Sequence, residues 1–212
     1  MGTLNKGLLG GFSGKVGNVV GSSCRGVEYI KSLPAKMTNP RTQGQTKQRS
    51  KFVVTQNFLR TITPFIRVGF KDFALEGMSA FNAAMSYNML NGIETSSAGN
   101  VLNYPDILVS RGSLSFSNSI NTKITKGELH FSWDTANKEN AKPNDQVMLI
   151  AYNSKKEVSV YDINGGKRNA GATSLDLPPD WNGDIIETYI AFKTEDGSMV
   201  SNSCYSGSFT FS

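Results

Sequence analysis

The chain has 212 residues and a formal net charge of +5, which places it between one and two ordinary domains, with enough length to bury a core without cross-links. No run approaches the roughly 20 apolar residues of a membrane-spanning helix, and two cysteines with one histidine leave almost no material for a Cys/His metal site. Twenty-one glycines against only 18% charged residues point to a turn-rich, β-rich chain.

The charge is uneven. From Lys6 to Lys71 twelve basic residues face Glu28 alone, a balance of +11, whereas after Tyr104 ten basic residues face thirteen acidic ones, a balance of −3. Halves of opposite sign can attract each other between copies, or the basic half can meet an acidic partner such as nucleic acid.

The opening MGTLNKGLLGGFSGKVGNVVG is apolar but cut by Lys6, Ser13 and Lys15, so it carries no secretory signal. Cytoplasmic synthesis is expected, with the cytoplasm or a virion-like assembly as the final site. A phosphate-binding loop fails on spacing: its first glycine would fall at Leu9, and Lys15 precedes Val16 rather than Ser or Thr. A GxxxG helix face fails on energy, since each glycine costs about 1 kcal/mol in a soluble helix. Glycines interleaved with Phe12, Val16, Val19 and Val20 instead predict short strands over 15–22 and 26–33, closed by Pro34. Glycine permits close backbone approach, which leaves two readings open: docking against a second copy, or a tight hairpin within the chain.

Thr42 with Gln45 three positions on forms a capping-box pattern for a helix running to about residue 59. Pro64 begins a second, short helix through the apolar run Phe65, Ile66, Val68 and Phe70. A third fits 79–91, with Ser79 as N-cap, Phe81, Ala84, Met85, Asn88 and Met89 at helical spacing, and Gly92 past its end. Residues 94–103, polar and rich in Ser, Gly and Asn, read as a linker dividing 1–103 from 104–212. Beyond it, 112–119, 128–134, 146–153, 157–163, 172–177, 188–194 and 205–211 read as seven strands of an antiparallel sandwich. The fold class is therefore α+β: N-terminal strands and short helices, then a β-sandwich.

The run Leu129-His130-Phe131-Ser132-Trp133-Asp134 resembles the second strand of a fibronectin type III or immunoglobulin-like domain, where a Trp fills the space between sheets. That resemblance implies an adhesive or spacer module over roughly 110–212, without an inter-sheet cysteine pair. Over the whole chain, Gly7 to Gly17, Asn39-Pro-Arg-Thr-Gln43 with Gln45, Gln48, Arg49 and Phe52, and the Asp196-Gly197, Ser203 and Tyr205-Ser-Gly207 ending resemble an uncharacterised bacterial family, found mainly in Bacteroidota and catalogued as a domain of unknown function. The Asn-Pro-x-Thr-x-x-Gln pattern followed by Arg and Phe also resembles short proteins encoded among phage structural genes.

Catalytic material is sparse. No carboxylate pair in the N-terminal half has a spacing that converges, His130 faces opposite to Leu129 and Phe131 on its strand, and no GxSxG elbow occurs. No enzyme activity, metal or cofactor is expected. Cys24 and Cys204 either pair or stand as separate, mostly buried thiols, the latter favoured by their lying one in each half with no CxxC. Candidate interaction residues are Lys15, Arg25, Arg41, Lys47, Arg49, Lys51, Arg60 and Arg67. The functional expectation is a structural protein assembling with itself or with other protein subunits. The alternative is a nucleic-acid-binding module using the basic helical segment 41–71.

Overall fold

The computed structural model describes residues 3–4, 11–24, 26–33, 39, 41–75, 77–96, 99–117, 119–125, 127–136 and 139–211. Four antiparallel strands come first: β1 (Thr3–Leu4), β2 (Phe12–Val16), β3 (Val19–Cys24) and β4 (Val27–Ser32), hydrogen-bonded in that order. The expected strand over 15–22 is in fact two strands. Gly17 at φ +57° opens a two-residue turn with Asn18 that pairs Val16 with Val19, the glycine-first signature of a hairpin. Of the two readings of the glycine-rich start, the hairpin within the chain is therefore present.

Three helices follow: α1 (Gln43–Thr61), α2 (Thr63–Gly69) and α3 (Ala80–Asn91). The caps form as the sequence predicts. Thr42 Oγ1 accepts the Gln45 N–H at 3.3 Å, Ser79 Oγ accepts the Asn82 N–H at 3.0 Å, and the Gly92 N–H donates to Asn88 O. Residues 94–103 are not a bare connection. Two strands pair antiparallel within the stretch, β5 (Ile93–Ser96) and β6 (Gly99–Leu102), whose Ile93 and Leu102 are half-buried.

Seven further strands make two sheets. One is β7 (Asn121–Thr125), β8 (Glu128–Ser132) and β11 (Ala172–Asp176), in the order β11-β8-β7. The other is β9 (Gln146–Asn153), β10 (Val158–Asp162), β12 (Ile185–Lys193) and β13 (Cys204–Thr210), in the order β10-β9-β12-β13. All pairings are antiparallel. The first strand of this set lies at 121–125, not at the expected 112–119. Over 112–117 only Leu114 bridges, to Ser201, while Ser115 and Ser117 bond to the loops at Glu139, Asn140 and Asp134 rather than to a ladder.

The four-stranded sheet is covered on both faces. Met148, Ile150 and Tyr152 of β9, with Tyr189 and Ala191 of β12, pack against Phe58, Leu59, Ile62, Phe65, Ile66 and Ala84 of the helices. The alternate residues Val147, Leu149, Ala151, Ile186, Ile190 and Phe192 pack against Leu129, Phe131 and Leu175 of the three-stranded sheet, with Trp133 and Trp181. The result is three layers: helices, sheet, sheet. Double coverage is why β9 and β12 are apolar almost without interruption instead of alternating.

Buried Asn88 ties α3 to the segment that precedes β7. Its Nδ2 donates to Ala84 O and Leu108 O at 3.0 and 2.8 Å, and its Oδ1 accepts the Leu108 N–H at 2.9 Å. Asn88→Ala strands both Leu108 backbone groups, so a loss of about 1–3 kcal/mol is expected in urea unfolding of the full chain.

Candidate interaction surface

The N-terminal sheet stands apart from both cores, neither of which contains a residue of β1–β4. Its register places Val16 and Ile30 on one face and Val27 and Tyr29 on the other. All four are exposed, Ile30 to 64% and Val16 to 51%, and every residue of β4 is exposed. Gly21 is fixed by its neighbour: a Cβ there would meet Phe12 O at 2.0 Å, so only glycine lets β2 carry Phe12 across it. A small sheet with exposed apolar side chains on both faces and no cover among the described residues is unusual, since such sheets need packing against another layer for stability.

The first half of α1 is also exposed. Residues 43–49 are exposed, as are Phe52 and Val53, and burial begins only at Thr55, Phe58 and Leu59. The helix thus divides into an exposed basic end beside β6 and a core end.

The structure distributes the sequence-predicted basic residues rather than gathering them. Lys15 is exposed on β2, and Arg25 lies outside the described residues. Arg41, exposed with φ +47°, and Lys47 line a 460 Å³ groove between the start of α1 and the β5–β6 hairpin, where Asn100 Nδ2 donates to Lys47 O. Lys51 is half-buried one turn on, on the same side of α1 as Lys47. Arg49 and Arg60 share the opposite side, with exposed Val53 between them, and Arg49 donates to Asn39 Oδ1 at 2.9 Å. Arg60 lines a 290 Å³ hollow with Asn57, Thr61 and Glu157, and Arg67 is exposed on α2. Two sides of one helix and a neighbouring helix do not make a single basic face.

Several polar clusters that sequence reasoning missed are structural. Arg168 and Asp145, each with a side chain 1% exposed, pair at 3.2 Å between the loops that precede β11 and β9. The Arg168 segment lies in a Gly- and Asn-rich loop that reads as solvent-exposed, so no signal in the sequence marks it. Buried Glu187 accepts from Tyr205 OH at 2.5 Å and Ser208 Oγ at 3.1 Å, at the end of a tyrosine cluster in which burial first, and Glu187 second, push Tyr104 up to about 12. The Asp196 carboxyl is held low by hydrogen bonds from Thr194 and then Ser198 in the turn after β12. Among the described residues no group of three or more His, Cys, Asp or Glu could hold a metal ion. The cysteines are both free but not buried as expected: Cys24 is exposed on β3, a strand outside both cores, and Cys204 is half-buried on β13; the His130 side chain is 48% exposed.

Asp184 gives the fold an acid-side dependence. Hydrogen bonds from Lys155 (2.8 Å) and then Asn153 (2.9 Å) hold its carboxyl below the ordinary 3.8 despite its burial. With the folded value depressed, its stabilising effect is complete above 3.8 and is lost as pH falls through the folded value. Asp184→Asn is therefore expected to flatten the fall in thermal midpoint below about pH 4, read by unfolding scans across acid pH.

Among the described residues no helix is long and apolar enough to cross a membrane. In comparisons with known proteins, the model of a family described as "Family of unknown function (DUF6266)" matches residues 11–207. No curated protein and no solved structure matches the chain.

Proposed function

Because the chain belongs to the DUF6266 family, whose description assigns no activity, the function must be read from its surfaces, and we propose that this is a non-enzymatic structural protein that assembles through protein–protein contacts between copies. One observation carries the reading: a four-stranded sheet that contributes to neither core and exposes Val16, Val27, Tyr29 and Ile30 on its two faces. Apolar side chains in that arrangement gain from being covered by another molecule. The remaining three layers serve as the body that the sheet links. Seven antiparallel strands divided three and four between facing sheets, with Trp133 between them 5.7 Å from Phe192, support reading that body's β portion as a fibronectin type III-like spacer. Electron microscopy of the purified protein tests the proposal: rings, particles or filaments are expected, and a field of single 23.0 kDa bodies at high concentration overturns it.

A second reading, nucleic-acid binding, is favoured by the exposure of Arg41, Lys47, Arg60 and Arg67, none of which forms an ion pair among the described residues. A salt titration of binding to generic DNA separates the two. A slope of several counterions supports this reading, and no binding at about 50 mM salt removes it.

A further inference from the structure

We propose that the N-terminal sheets of successive copies stack face to face, the Ile30 face of one on the Tyr29 face of the next. The inference rests on the assembly reading above and names the cover that both faces of the sheet receive.

Register sorts the charges of β2, β3 and β4 by face. Val16, Val19 and Ile30 share one face, where Gly21 lets Phe12 lie across the sheet, and the only charged residue on it is Glu28. The other face carries Val20, Val27 and Tyr29, with Lys15 and Lys31 on either side of Val20 and no acid. All three charged side chains are exposed, and none forms an ion pair among the described residues.

Those signs select the partner. Two Ile30 faces together oppose Glu28 to Glu28, two Tyr29 faces together oppose lysines to lysines, and one of each brings the carboxylate to the lysines. The same arrangement covers the apolar side chains. Sheets pack face to face about 10 Å apart, so a copy inside a stack has Val16 and Ile30 covered by one neighbour and Val27 and Tyr29 by the other. A single partner lying on one face leaves the opposite face exposed. Residues 33–42 separate β4 from α1 and can extend to about 35 Å, which leaves room for the bodies of successive copies around the stack. One face joined to the opposite face of the next copy is a heterologous contact, which closes into a ring or continues as a filament.

Two full-length variants test the pairing at exposed positions outside both cores: Glu28→Lys makes the Ile30 face basic, and Lys15→Glu combined with Lys31→Glu makes the Tyr29 face acidic. Each is expected to raise the concentration for half-assembly, read by light scattering, by about tenfold or more. An equimolar mixture is expected to restore assembly, because the two altered faces attract each other and the two native faces meet at the alternate contact. Ile30→Thr and Tyr29→Thr keep strand-forming residues and remove apolar area from opposite faces, so each is expected to weaken assembly with the circular-dichroism melt unchanged. If the wild type assembles but any of these variants assembles equally well, or the mixture shows no rescue, the stack is overturned and the assembly reading stands. If the wild type is monomeric, both fall.

Discussion

Arg168→Ala is expected to lower the unfolding free energy by about 3–5 kcal/mol, among the largest effects of any single substitution in this chain. The guanidinium lies wholly inside the protein. Its Nε donates to Asp145 Oδ2 at 3.2 Å, its NH2 donates to Ser115 O at 2.9 Å, and its plane sits 4.0 Å above the Phe192 ring. The backbone around it is equally committed, with Arg168 N–H donating to Asp145 O and Trp133 Nε1 donating to Arg168 O, both at 2.7 Å. Removing the side chain leaves the buried Asp145 carboxylate, among the described residues, with the Lys142 N–H at 2.8 Å and no countercharge. The double variant Arg168→Met with Asp145→Leu removes both charges, so it is expected to lose less than Arg168→Ala alone. Urea unfolding of the three proteins checks this, and an additive result would show that the pair is not coupled.

Phe58→Ala is expected to cost about 3–5 kcal/mol for a different reason. Phe58 is the central side chain between the helical layer and the four-stranded sheet, edge-on to Tyr152 at 4.8 Å and tilted against Tyr189 at 6.2 Å. Truncation opens a cavity that Leu59, Ile62 and Ala84, already packed against the sheet, cannot fill without moving a helix. Because the helices and the sheet share that core, the variant should melt in one transition monitored by both far-ultraviolet helix signal and tryptophan fluorescence. Two separated transitions would mean that the layers fold independently.

The helices were readable because their signals are local. Thr42 with Gln45, Ser79 ahead of the helical spacing, and Gly92 after Asn91 act within one turn, and each cap forms at the residue the pattern named. Six of the seven later strands were readable for the same reason, as runs bounded by turn residues. The first was not, because Asn121-Thr-Lys-Ile-Thr125 buries only Thr122 and half-buries Ile124, whereas Leu114 and Phe116 offered a stronger alternation without a partner strand to pair with. Strand order and the helix-covered face depend on contacts between residues far apart in sequence, such as Phe58 on Tyr152, and no local pattern encodes them. The basic stretch was legible as charge but not as a surface, since helical geometry sends Lys47 and Arg49 to opposite sides of α1. The apolar exposure of β4 was hidden by its composition: in Val27-Glu-Tyr-Ile-Lys-Ser32 both faces carry one or two apolar residues, so neither reads as a core face.

Static light scattering, comparing the full chain with a chain beginning at Asn39, reads the role of the N-terminal sheet most directly. The shortened chain keeps the Thr42 cap and every residue of both cores, so its thermal midpoint should match that of the full chain. The full chain is expected to run as a concentration-dependent multimer and the shortened one as a monomer. Equal masses for the two proteins at every concentration would contradict assembly through that sheet.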